Sequence, residues 1–159
     1  MMKATVYTIT PPKKIDIHKR IIGIDPGTVN LGLADYRPKY KCQVYQIKTI
    51  RDDDPVDRIK RMYKIMKELL WCNVTYEQTM MIIEGSAFGA RFRQVEMGEA
   101  RATMALYGLL QEYSVKIIAP NSIRKQVFGS GKIKAQEVWS GLPDDALAAL
   151  SAMYYAVGI

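Results

Sequence analysis

The stretch that most limits how this chain can fold is Ile21-Ile22-Gly23-Ile24-Asp25-Pro26-Gly27-Thr28-Val29-Asn30-Leu31-Gly32-Leu33-Ala34. It opens as a short apolar run rich in β-branched residues, the pattern of a strand buried on both faces. The run ends in one carboxylate, Asp25, after which Pro26-Gly27 turns the chain and a second apolar strand begins near Leu31. An acid at the mouth of a buried strand is costly unless a cation or hydrogen-bond donors stabilise its charge. Asp-Pro-Gly by itself is more often a hairpin turn than a site. The remaining residues must therefore either give Asp25 partners or leave it a turn residue.

Leu31 to Tyr36 and Cys42 to Ile50 read as two strands that continue from the first as a meander. Asp52-Asp53-Asp54-Pro55 then starts a helix, with an Asp cap and Pro at the first helical position. Its apolar stripe is Val56, Ile59, Met62, Met66, Leu69 and Leu70, and the three aspartates read as a solvated cap rather than a metal site. Thr79 to Glu84 repeats the first theme, a buried apolar run ending in one acid, and a small-residue loop holding Phe88 follows. The segment from Gln94 to Gln111 is a helix apolar on most of its circumference, so it is either sandwiched or part of a subunit interface. Val115 to Ala119 is a short strand, Pro120-Asn121-Ser122 opens a helix, and a short helix is expected near Gln136 to Trp139. Pro143-Asp144-Asp145 opens a terminal helix. The expected organisation is a basic arm or added strand over residues 1–19 and a single α/β domain over 20–159. Crossover helices make the strands ending in Asp25 and Glu84 parallel, so as neighbours they deliver both acids to one edge of the sheet.

Net charge is +7 over 159 residues, which favours a polyanionic partner. No basic amphipathic helix carries bulky aromatics on its opposite face, which places nucleic acid ahead of a membrane surface. One histidine, His18, and two distant cysteines, Cys42 and Cys72, argue against a zinc site and a histidine-based triad. With no membrane-length apolar run and no leader-like start, the expectation is a soluble, intracellular protein. Carboxylates that converge repel one another, and divalent cations hold them ionised together. All-oxygen ligation points to Mg²⁺ or Mn²⁺, and two such ions about 3.5–4 Å apart suit in-line cleavage of a phosphodiester.

Five pieces in order carry a family resemblance: Gly23-Ile24-Asp25-Pro26-Gly27; Ile83-Glu84 with the Phe88 loop; Gly98-Glu99-Ala100-Arg101; Val127-Phe128-Gly129-Ser130-Gly131 with its lysines; and Asp145-Ala146-Leu147-Ala148. On these the chain resembles the RuvC-type Holliday-junction resolvases of the RNase H-like nucleases, over nearly everything from Arg20 to Tyr155. The resemblance implies a mixed five-stranded sheet, an antiparallel meander plus parallel strands, flanked by helices. It implies a homodimer, paired through helix 94–111, that binds branched DNA, a four-way junction. Metal-dependent symmetric nicking would leave 5′-phosphate and 3′-hydroxyl ends, with no small-molecule cofactor.

By position, Asp25 and Glu84 match the first two metal ligands and Asp145 the last. The family's further ligand, Asp or His three residues before the last, falls here at Leu142. Asp144 is then the candidate substitute and Glu137 a more distant one, although Asp144 and Asp145 point about 100° apart on a helix. Lys134 matches a phosphate-contacting or catalytic lysine. The family's other lysine falls at Arg124 or Lys125, and Lys132 completes a basic border. Phe88 is either a core aromatic or one that stacks on unpaired bases beside Arg91 and Arg93. The family occurs in bacteria, their phages and some organelles, and the expected location is the cytoplasm of a bacterial or phage-infected cell. Two other readings stay open: a junction-binding protein whose cutting is weak or lost, and an RNase H-like nuclease of flaps or RNA-containing duplexes.

Overall fold

The computed structural model describes residues 3–10, 18–38, 42–49, 54–71, 78–86 and 94–158. Phe88, Arg91 and Arg93 lie outside the described residues, as do Asp52, Asp53 and Cys72. In chain order the elements are β1 (Lys3–Ile9), β2 (Arg20–Asp25), β3 (Asn30–Tyr36), β4 (Cys42–Lys48), α1 (Pro55–Leu70), β5 (Thr79–Glu84), α2 (Gln94–Leu110), β6 (Ser114–Ile118), α3 (Pro120–Phe128), α4 (Ala135–Val138) and α5 (Asp144–Val157). The strands form one six-stranded sheet in the order β1-β4-β3-β2-β5-β6. β2, β3 and β4 are the antiparallel meander, and β5 and β6 add in parallel on the other side of β2. The strand beyond the expected five is β1, which pairs antiparallel with β4 from Lys3–Lys48 to Ile9–Cys42. Its largely exposed side chains leave little hydrophobic pattern to announce it.

Side-chain alternation in β2 explains why the sheet is covered on both faces. Ile22 and Ile24 point one way, into a core shared with Met62, Ile65 and Met66 of α1 and Ala100, Met104 and Tyr107 of α2. Ile21 points the other way, with Ala34, Val44 and Ile82, against Ala149, Leu150 and Met153 of α5. Ile21, Ile22 and Ile24 have no exposed surface, each contributing roughly 1.5–3 kcal/mol of apolar burial. α5 packs its backbone directly against β2 and β3 on this second face. A Cβ on Gly23 would overlap the Ala149 carbonyl oxygen and the Met153 backbone, and one on Gly32 would overlap the Asp145 carbonyl.

Helix α1 is capped by the Asp54 carboxylate, which accepts from the amides of Val56 (2.8 Å) and Asp57 (3.1 Å). Its buried face differs from the expected stripe. Val56 and Ile59 are exposed, while Arg58 is buried in an ion pair with Glu99 of α2 at 2.8 Å. That pair takes the place a periodicity argument gives to an apolar residue. At the far end of the sheet from Asp25, the Arg20 side chain donates to both Asp35 oxygens, at 2.8 and 2.7 Å, and to the Leu70 carbonyl. Arg37 joins the same carboxylate at 2.7 Å. No helix among the described residues is long and apolar enough to cross a membrane.

Candidate active site

β2 and β5 run parallel, and their register ends at Ile24–Ile83. One step further along both strands stand Asp25 and Glu84. On the other side of β2, Asp25 pairs with Gly32 of β3, which in turn pairs with Gln46 of β4. Residues paired across a sheet point to the same face, and this row faces α5. Gly32 leaves room for the first turn of α5 to settle onto the row, which brings Asp145 beside Asp25. Gln46 donates to Asp145 Oδ2 at 3.4 Å and so orients that carboxylate from the sheet.

The four acids Asp25, Glu84, Asp144 and Asp145 line one cleft of about 250 Å³. Arg124 from α3 and Lys134 at the start of α4 line it too. Burial raises the Asp25 carboxyl well above its ordinary value, and the neighbouring charges of Glu84 and Asp145 raise it further. The guanidiniums of Arg101 and Arg124 pull in the opposite direction. Glu84 is raised by burial as well, against the same two arginines. Of the two adjacent aspartates, Asp145 is half-buried and its charge acts on Asp25, whereas Asp144 is exposed in the cleft lining.

Other sequence-derived candidates are placed apart from the cleft. Lys125 and Lys132 are exposed and stand outside its lining. Glu137 instead caps α4, its Oε1 accepting from the Lys134 amide at 3.0 Å. Leu142 packs into the apolar cluster with Phe128, Trp139 and Tyr154. Gln46 carries no sequence signal for a place beside the cleft, and Arg101 enters the sequence reading only within Gly98-Glu99-Ala100-Arg101. A glutamine alternating with apolar residues looks like a solvated strand position, and an arginine on a helix looks like surface.

Among the described residues, no three of the His, Cys, Asp and Glu side chains stand close enough for a ready-made metal cage. The donor set nevertheless fits a hard divalent cation. It is all oxygen, Asp25 and Glu84 are desolvated, and Glu84 and Asp145 repel Asp25, a repulsion that a bound cation would relieve.

A family model described as crossover junction endodeoxyribonuclease RuvC matches residues 21–141. The chain belongs to the RuvC family. A RuvC from Caldanaerobacter subterraneus subsp. tengcongensis is 28% identical over 123 residues, spanning 75% of this chain and 73% of that protein. Among solved structures, Thermus thermophilus RuvC superposes with a TM-score of 0.64 at 18% identity, over 87% of this chain and 93% of that one. The Thermus thermophilus RuvC complex with Holliday junction substrate gives a TM-score of 0.61 at 18% identity, covering 88% and 96%. At that identity the superpositions establish the RuvC fold, and the six strands with their helices on both faces are its mixed α/β architecture.

Proposed function

We propose that this chain carries out its family's reaction, endonucleolytic resolution of four-way (Holliday) junctions, with Asp25, Glu84 and Asp145 holding the divalent metal. The observation that carries this reading is the convergence of three carboxylates from β2, β5 and α5 in one cleft bordered by Arg124 and Lys134. RuvC nucleases depend on divalent cations, and Mg²⁺ or Mn²⁺, two per site, suits the oxygen donors present. Asp25, Glu84 and Asp145 would hold these ions, which would supply an activated water and stabilisation of the leaving oxygen for cleavage to 5′-phosphate and 3′-hydroxyl ends. The chain's own residues do the rest. Gln46 orients Asp145, while Arg124 and Lys134 bind the phosphates that four acids alone would repel. Asp144 supplies a further oxygen from the rim. Lys125 and Lys132 track the DNA backbone outside the cleft, and Phe88, Arg91 and Arg93 engage unpaired bases and phosphates at the crossover. The reaction is placed in the cytoplasm of a bacterial or phage-infected cell.

Leu142 favours a second reading, junction binding with weak or lost cutting, because the family's remaining ligand position is apolar here. One assay separates the two. Four-way, flap and linear duplexes are incubated with Mg²⁺, Mn²⁺ or Ca²⁺. Paired symmetric nicks confined to the junction in Mg²⁺ or Mn²⁺ are the expected result. Junction binding without nicking supports the second reading, and preferential cutting of flaps defeats both.

Pairing through α2 follows from which side of that helix the sheet leaves open. Ala100, Thr103, Met104 and Tyr107 are buried, while Leu106, Leu109 and Leu110 are 55–60% exposed, and Ile117 of β6 is 51% exposed. Leucines at i, i+3 and i+4 share one side of a helix, and an exposed apolar side of this kind is what a second copy would cover. The expected outcome is a dimer in sedimentation at micromolar concentration, converted to monomer by Leu106→Glu with Leu110→Glu. A wild-type monomer would rule the pairing out.

A further inference from the structure

We propose that Arg101 is a positioning residue for the metal site, holding the end of β5 so that Glu84 faces Asp25. This rests on the reading of Glu84 as a metal ligand. Arg101 lies on α2, half-buried, and its Nε donates to the Glu84 carbonyl oxygen at 3.3 Å. Glu84 is the last residue of β5, where the ladder runs out. Beyond it, the Gly85 amide donates to the Ile118 carbonyl of β6 at 2.7 Å. The peptide unit that follows the Glu84 Cα is thus tied through both of its polar groups, to β6 by the Gly85 amide and to α2 by the Glu84 carbonyl. A side chain at a strand end otherwise loses its aim to fraying.

Arg101 differs from Arg124 in one decisive respect. Arg124 lines the cleft, whereas Arg101 is not among its lining residues and meets Glu84 at the backbone carbonyl. Its bond is to the main chain of Glu84, so it is placed to orient that residue through the backbone. Arg58, on α1, anchors the same helix two residues earlier through Glu99. α2 also presents the exposed leucines Leu106, Leu109 and Leu110. The helix proposed to meet a second copy is the one that grips the Glu84 carbonyl, so the aim of that carboxylate is tied to the face where two copies would join.

Charge and aim make opposite predictions here. If Arg101 acted only as a positive charge near the acids, removing it would tighten cation binding. If it sets the aim of Glu84, removing it loosens cation binding despite the charge gained. The experiment measures Mn²⁺ binding by calorimetry in the absence of DNA for the wild type, Arg101→Gln, Arg101→Lys and Asp25→Asn. Arg101→Gln is expected to raise the Mn²⁺ dissociation constant about tenfold, the order of effect seen for residues that orient metal ligands. Arg101→Lys keeps the charge with a different donor geometry and is expected to weaken binding by a smaller factor. Cutting of the four-way junction should recover in both at saturating Mn²⁺. Wild-type or tighter binding in Arg101→Gln overturns the proposal. Should the glutamine variant melt early, the lysine variant decides, with unchanged Mn²⁺ affinity counting against the positioning role. Loss of Mn²⁺ binding in Asp25→Asn anchors the metal site itself, and its retention would bring down the site reading rather than the role of Arg101 alone.

Discussion

Asp25→Asn and Glu84→Gln are each expected to reduce junction cutting by at least about a thousandfold, since each removes a charge and an acceptor on which transition-state stabilisation depends. Junction affinity, measured in EDTA by gel shift, should survive, because the basic border proposed to bind phosphate is untouched. For Asp25 the same substitution carries a stability signature. Its carboxyl is raised well above 3.8 by burial and by the charges of Glu84 and Asp145. A group that holds its proton more tightly folded than unfolded contributes stability that is complete below the unfolded value. That contribution is lost as pH rises through the raised one. Metal-free wild-type protein should therefore lose melting temperature from acid towards neutral pH. Asp25→Asn, with nothing to titrate there, should melt higher than wild type at pH 7 in EDTA, and the gap should close below about pH 4. Mg²⁺ should raise the melting temperature of the wild type and barely move the variant. Persistent cutting by Asp25→Asn would remove the site from consideration.

Gly32→Ala is the second substitution with a large expected effect, and it touches no acid. Its Cβ would fall on the Asp145 carbonyl, a backbone atom in the first turn of α5 that cannot rotate away. Overpacking of this kind costs about 1–3 kcal/mol. The helix relieves it by lifting from the sheet at the end that holds Asp145. A displacement on the order of 1 Å at a reacting group can cost about 100-fold in rate, so cutting should fall by that order even at a temperature where the variant is fully folded. Thermal melts and single-turnover cutting of the junction check both parts. A variant with wild-type melting and wild-type cutting would show that the height of α5 does not set the position of Asp145.

These two substitutions mark where the site was legible from residues alone and where it was not. Asp25 and Glu84 stood out because each closes a buried strand, an expensive place for an acid. Asp145 was found by its Asp-Ala-Leu-Ala context, but what holds it at Asp25 is Gly32, and a glycine in an apolar strand gives no hint of a helix resting on it. Gln46 and Arg101 act across elements, Gln46 on a carboxylate and Arg101 on a backbone carbonyl. Periodicity cannot show such partners. The early part of α1 failed for a related reason, since burial of Arg58 by pairing with Glu99 has no counterpart in an apolar stripe. Glu137 looked like a spare ligand and is engaged at the Lys134 amide instead. The strand over Lys3–Ile9 was ambiguous because an edge strand with exposed side chains needs little hydrophobic pattern, only a neighbour such as β4 with free backbone groups.

The Arg20–Asp35 ion pair sits at the opposite end of β2 from the cleft, yet it has a consequence there. Because side chains alternate, sliding β2 by one residue along β3 would swing Asp25 to the layer of α1 and α2, away from Asp145. The same slip would pull the Arg20 guanidinium off both Asp35 oxygens and leave its charge in the interior without that carboxylate, which would keep only Arg37. Misregistered pairing is thereby penalised at a point remote from any DNA, and the polarity of one edge of the sheet is decided by an ionic latch on its other edge.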